Sequence, residues 1–251
     1  MTWEELKAWR KTQRALLVAR REALGESERK AWNESITAHL LAAFEVPRDA
    51  VVGFCWPYRA EFDARFAVRR WREAGAIAAL PEVVAKSSPL LFRKWWPGAP
   101  MRSGVYDIPF PDGTEIVVPH IGIVPMNGFD GCGYRLGYGG GFFDRTLAHS
   151  DPRPIAVGVS YEALRMDTIF PQPHDVPMDF VVTEAGVYAA GGRPLELLVP
   201  AEARSRVAHL GTTRGLSGGA SQQAGYSSPA CYASEFPGYF GEDNADGKPL
   251  K

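Results

Sequence analysis

The chain has 251 residues, 45% hydrophobic, 23% charged and 12% aromatic, which excludes a wholly disordered polypeptide and suits a sizeable buried core. Its 28 Lys and Arg against 29 Asp and Glu leave a net charge of -1, so no global field favours nucleic acid or an anionic membrane, and neither is expected as a partner. Cys55, Cys132 and Cys231 are too few and too far apart for a disulfide framework or a metal knuckle, and the charged N-terminus lacks a long apolar run, so a cytoplasmic protein is expected.

Leu6, Trp9, Leu16, Leu17 and Leu24 recur at roughly helical spacing, and Ser27 to Ala43 predicts a second helix. A strand follows at Val51 to Phe54, a helix at Ala64 to Ala74, and a strand at Ala76 to Leu80, closed by Pro81. Further strands are predicted at Leu90 to Trp95, Ile121 to Val124, Ile155 to Ser160 and Phe180 to Thr183, with a helix at Phe142 to His149. This alternation implies an α/β fold, a Rossmann-like, mostly parallel sheet flanked by helices, with ligands at loops leaving the C-terminal strand ends. One domain is expected over residues 1–202. Residues 203–251 read as a weakly ordered tail, since 16 of the 41 residues from Gly211 onward are Gly, Ser or Pro. Tyr226, Tyr232, Phe236, Tyr239 and Phe240 leave a docking segment open there.

The most informative stretch is GYRLGYGGGFFDR, residues 133–145, between a predicted strand and the helix from Phe142. Gly137, Gly139, Gly140 and Gly141 let backbone N–H groups approach an anion, and the helix adds its own unpaired N–H groups and positive dipole end. A flexible turn is the alternative. No Gly-Lys-Ser/Thr follows, so this is not a Walker A loop. Arg135 can pair with phosphate oxygens and Asp144 can approach a nucleotide-borne Mg2+, or the two can be a solvated charge and a helix-dipole acid. Residues 6–21 hold six cations and no acid, with Lys7, Arg10, Lys11 and Arg14 at three- or four-residue steps on one helix face, either a polyphosphate clamp or a solvated face. In CWPYRAEFD, Glu61 follows a strand end, where it can hold the amine and amide edge of a pterin-like ring while Trp56 and Tyr58 offer a stacking face. Glu61 and Asp63 also read as N-terminal helix acids. Asp175, beside His174, completes a metal site with Asp144 or forms a turn before its strand.

Together these stretches resemble the 5-formyltetrahydrofolate cyclo-ligase family. The resemblance rests on RLGYGGGFFDR at 135–145 introduced by GFDGCGY, RKTQR at 10–14, the Glu61 loop, LLFRKWWPG at 90–98 and HDVPMDFVVTE at 174–184. It implies a fold similar to ribose-phosphate isomerases and glucosamine-phosphate deaminases, and the use of ATP, Mg2+ and 5-formyltetrahydrofolate. By match to the family's motifs, Arg10, Lys11 and Arg14 bind ATP together with Arg135, Leu136, Gly137, Tyr138, Gly139, Gly140, Gly141, Phe142 and Phe143. Trp56 and Glu61, with Tyr138 to Phe142, face the folate, and Asp144 and Asp175 hold Mg2+. Arg135, Tyr138 and Gly140 are the residues expected at the reacting groups. The implied reaction transfers the γ-phosphoryl group to the formyl oxygen and closes the ring through N10, giving 5,10-methenyltetrahydrofolate, ADP and phosphate.

Many relatives carry a Tyr pair where Phe142 and Phe143 stand, and some a Lys where Gly140 stands. A monomer is expected, since no heptad seam is present. The competing readings are a folate- or nucleotide-binding relative with lost or altered activity, and an isomerase-like enzyme acting on sugar phosphates, indifferent to ATP.

Overall fold

The computed structural model describes residues 1–216. Helix α1 (Trp3–Glu22) starts at a capping box in which Thr2 and Glu5 satisfy each other's backbone N–H. The order continues α2 (Glu26–Ala43), β1 (Val51–Phe54), α3 (Arg65–Glu73), β2 (Ile77–Glu82) and β3 (Leu91–Trp95). Then come β4 (Met101–Ser103), a 3-10 turn at Val105–Asp107, β5 (Pro109–Pro111), β6 (Ile116–Val117) and β7 (Ile121–Pro125). Next are β8 (Gly128–Asp130), β9 (Arg135–Leu136), α4 (Phe142–His149), β10 (Ile155–Val159), a 3-10 turn at Glu162–Leu164 and β11 (Arg165–Met166). β12 (Phe180–Thr183), β13 (Gly186–Ala189), β14 (Glu196–Leu198) and α5 (Pro200–Thr213) complete it.

The main sheet has the order β14-β13-β12-β10-β7-β1-β2-β3-β6. Its five central strands, β12 to β2, are parallel, as the alternation of elements predicts, and antiparallel strands extend both edges. β2 runs through Pro81 rather than stopping before it. Pairing with β1 ends at Ala79, so the missing proline N–H falls beyond that ladder.

Side-chain alternation sorts the central strands onto two buried faces, as a sheet covered on both sides requires. Val52, Phe54, Ile121, Ile123, Ile155, Val157, Phe180 and Val182 join the helices α2, α3 and α5 in the larger core. On the opposite face Val124, Ala156 and Val181 meet Leu147 of α4, and Val51, Ala79 and Phe92 form a neighbouring cluster. A Cβ at Gly158 in β10 would lie 2.5 Å from the Met126 sulfur and 2.8 Å from Met178 Cγ, both buried. Overpacking of this kind costs about 1–3 kcal/mol, so Gly158→Ala is expected to lower the Tm by several degrees in a thermal melt.

The boundary expected at residue 203 falls inside α5. Ala203 and Val207 are buried in the larger core, Leu210 packs against it, and Arg214 forms a bidentate pair with Asp179 at 2.7 and 2.8 Å. The compact unit therefore continues to Arg214. Residues 217–251, with the tail aromatics and Cys231, lie outside the described residues.

Candidate active site

Strand order reverses at β1: the chain leaves β1 for β2 on one side and later returns to pair β7 on the other. The loops after β1 and β7 thus leave adjacent parallel strands at a topological switch point, where open α/β sheets bind ligands. The first loop carries Trp56, Tyr58 and Glu61, and the second leads through β8 and β9 to residues 137–141.

The glycine loop ends at Gly141, which has φ 61° and caps α4 with no side-chain hydrogen bond. First-turn N–H groups at Phe142 to Asp144 therefore point past the helix end with the dipole behind them, as an anion requires. Arg14 crosses from α1 to donate from Nε to the Gly137 carbonyl at 3.0 Å. Its guanidinium also lies against Gly139, where a Cβ would come within 3.2 Å of Arg14 Cζ at a φ of 96°. Gly139→Ala is expected to weaken anion binding at this loop about tenfold, because strained backbone and a displaced Arg14 together cost about 1–3 kcal/mol. Calorimetric titration with inorganic tripolyphosphate would measure it. Lys11 occupies an exposed position on α1.

The side chains of other members of the expected nucleotide set pack within the protein. Leu136 is buried in the core, Phe143 packs against both smaller clusters, and the Phe142 ring is stacked by Arg145 at 5.0 Å. A Cβ at Gly140 would meet that ring at 2.7 Å, so Phe142 lies over Gly140. Arg145 also donates to the Gly140 carbonyl at 2.7 Å.

The two aspartates each hold an arginine. Asp144 Oδ1 accepts from Arg135 Nη2 and from the Val176 N–H, both at 3.0 Å. Asp175 Oδ2 accepts from Arg10 Nη2 at 2.6 Å and from Gln172 N–H at 2.7 Å, while Oδ1 lies 3.4 Å from Arg10 Nη1. Arg10 further donates to the carbonyls of Ile169 and Phe170. Arg10, expected as a phosphate ligand, ties α1 to the 169–175 loop, and Asp175, expected as a metal ligand, is its partner. Among the described residues no group of three or more His, Cys, Asp or Glu side chains gathers as a metal site.

Glu61 is almost fully buried. Its Oε1 accepts from the Tyr138 hydroxyl at 3.0 Å and its Oε2 from the Tyr58 N–H at 3.1 Å. Burial pushes its carboxyl above the usual carboxylate range, opposed mainly by the Arg21 guanidinium and the Tyr138 hydroxyl. Burial and the nearby Glu61 charge push the Tyr138 hydroxyl up as well. The expected stacking face is built differently from the sequence reading. Trp56 lies under the Arg65 guanidinium at 4.6 Å and edge-on to Trp95. Tyr58, Tyr106 and Tyr138 form the ring cluster beside Glu61, with centroids 5.7 to 6.4 Å apart. Tyr106 comes from the turn between β4 and β5 and is 63% exposed. Arg59, Ala60, Tyr106 and Asp107 all adopt positive φ in these two loops, the strained backbone that functional loops carry.

The site of this α/β domain is thus a glycine loop feeding a helix N-terminus on one side and a buried carboxylate among tyrosines on the other. The 5-formyltetrahydrofolate cyclo-ligase family model matches residues 6–184, and the chain belongs to that family. It is 35% identical over 95 residues to a 5-formyltetrahydrofolate cyclo-ligase of Haemophilus influenzae, covering 36% of this chain and 51% of that protein. With the enzyme of that name from Mycolicibacterium smegmatis it shares 34% identity over 121 residues, 44% of this chain and 61% of that one. The matched stretches thus span about half to three fifths of these relatives. The solved 5,10-methenyltetrahydrofolate synthetase of Aquifex aeolicus superposes with a TM-score of 0.59 at 26% identity, covering 76% of this chain and 96% of its own.

Proposed function

We propose that this chain uses ATP to convert 5-formyltetrahydrofolate into 5,10-methenyltetrahydrofolate, releasing ADP and phosphate. The observation that carries the reading is the Tyr138 to Glu61 hydrogen bond, which joins the glycine loop to the ring-facing carboxylate. One short loop thereby borders both the anion cradle and the ring site, as transfer between a nucleotide and a folate demands.

In this reading Glu61 accepts from the amine and amide edge of the pterin, against the tyrosine cluster. The backbone N–H groups of residues 139–143 and the Arg14 and Arg135 guanidinium groups hold the triphosphate. The formyl oxygen attacks the γ-phosphorus as the bond to ADP breaks. N10 then attacks the formyl carbon and gives up its proton, and the carbon–oxygen bond breaks to release phosphate. Both steps need alignment and charge neutralisation rather than a covalent nucleophile.

A nucleotide-borne Mg2+ keeps several waters and needs only one or two protein carboxylates, and Asp144, with both its hydrogen bonds on Oδ1, fits that demand better than Asp175. Such an ion would neutralise phosphate charge. The proposed working unit is a monomer acting in the cytoplasm; no described helix is long and apolar enough to cross a membrane, and light scattering tests the monomer. The decisive assay follows methenyl absorbance and ADP release with 5-formyltetrahydrofolate and Mg-ATP. Equimolar, ATP-dependent appearance of both is expected, and binding of both ligands without product would overturn the reading.

A further inference from the structure

Arg21 stands out among the charged residues because its side chain is only 1% exposed at the end of α1. A buried guanidinium is tolerated only where its donors find partners. Nε donates to the Arg59 carbonyl at 2.9 Å, Nη1 to Asn127 Oδ1 at 2.8 Å and Nη2 to the Tyr138 hydroxyl at 2.9 Å, and Nη2 lies 3.8 Å from Glu61 Oε1. Four segments meet at this one side chain: the first helix, the Glu61 loop, the turn after β7 and the glycine loop. Its bond to Asn127 leaves that residue's Nδ2 buried with no partner, so the network is not closed on itself as a packing knot would be.

We propose that Arg21 is a positioning residue for ring recognition: its planar fork fixes the Tyr138 hydroxyl and the Glu61 carboxylate in the geometry that receives the pterin edge. The inference rests on the folate reading above and adds to it the residue that assembles the ring site. Because the Tyr138 oxygen accepts from Arg21, its proton is directed to Glu61. Remove Arg21, and Tyr138 is free to turn its proton elsewhere while Glu61 loses its guanidinium neighbour. The groups facing Glu61 are Arg21 from α1, Tyr138 from the glycine loop, the Tyr58 N–H of its own loop, and the buried Cys55 thiol, which feels the Glu61 charge. Arg21 is the one cation among them. A lysine keeps the charge and loses the fork, so it restores part of the arrangement only.

The test compares wild type, Arg21→Met and Arg21→Lys by two readouts. One is the Glu61 side-chain carboxyl titration, followed by carbon NMR of the ligand-free protein and assigned with Glu61→Gln. The other is the pH dependence of kcat/KM for 5-formyltetrahydrofolate and for ATP. In Arg21→Met the Glu61 midpoint should rise by about one pH unit or more, and the acid limb for folate should move with it, a loss of about tenfold on that limb. The KM for ATP should stay within about twofold, and Arg21→Lys should fall between the other two. A residue that merely stabilised the fold would lower the Tm, raise both KM values together and leave the Glu61 midpoint in place; that result overturns the proposal. Should Arg21→Met fail to fold, an unmoved midpoint and wild-type kinetics in Arg21→Lys overturn it equally. If the wild type gave no product, the reading of function would fall, and the carboxyl titration would still decide whether Arg21 sets Glu61.

Discussion

Asp144→Asn is expected to lower kcat by about 100-fold or more and to raise the Mg2+ concentration for half-maximal rate about tenfold. The carboxylate is the acceptor that orients Arg135 at 3.0 Å, and it also takes the Val176 N–H. Asparagine preserves the shape and one oxygen, so the segment at Val176 can stay in place. The negative charge goes, however, and Arg135, whose side chain is only 4% exposed, is left without its counter-ion. Arg135 still donates to the Val176 carbonyl at 2.7 Å, which limits its movement. Under the proposed function the chemistry would suffer twice: the phosphoryl group would lose a fixed cation, and a nucleotide-borne Mg2+ would lose a hard anionic ligand. A thermal melt beside a Mg2+ titration separates this from unfolding. Wild-type kcat with an unchanged Mg2+ dependence would remove Asp144 from the metal role.

Glu61→Gln is expected to reduce kcat/KM for 5-formyltetrahydrofolate by about 10- to 100-fold while the KM for ATP changes by less than about twofold. A hydrogen bond to a buried charge contributes about 1.5–3 kcal/mol, and each 1.4 kcal/mol is about tenfold. Glutamine fits the space, but its NH2 cannot accept from the Tyr138 hydroxyl or from the Tyr58 N–H, so one of these two hydrogen bonds is lost in its present direction. The pH dependence carries a definite sign. Burial raises the Glu61 pKa, so the carboxylate proposed to receive the ring is lost as pH falls through a range above that of an exposed glutamate. Wild-type kcat/KM for folate should decline on the acid side in that range, and Glu61→Gln should be flat there. An acid limb that persists in the variant would show that another group is responsible.

The central strands and the helix at Phe142–His149 follow from short buried runs and helical spacing with little help from the rest of the chain. Other assignments depend on which neighbour a side chain meets. Arg10 and Asp175 both read as ligand-binding residues in sequence, yet 165 positions apart they are each other's partner. Tyr106 gives no local signal, because a tyrosine in a Gly- and Pro-rich turn reads as surface; only the return of that turn beside Glu61 makes it part of the site. Arg21 is one of six cations in residues 6–21, and nothing in their spacing marks it as the buried one. The core role of α5 was accessible from Ala203, Val207 and Leu210 at helical intervals, behind Pro200 at the helix start, but the Gly- and Ser-rich segment beyond masked it.

The sequence by itself determined the α/β alternation, the glycine loop before its helix and the family, because these depend on residue type and short spacing. The tertiary structure alone decided which charges are neutralised by each other and which are buried, since an ion pair or a buried carboxylate is set by distance in space. That is why the Arg10–Asp175 pair and the place of Arg21 beside Glu61 and Tyr138 emerge only in three dimensions.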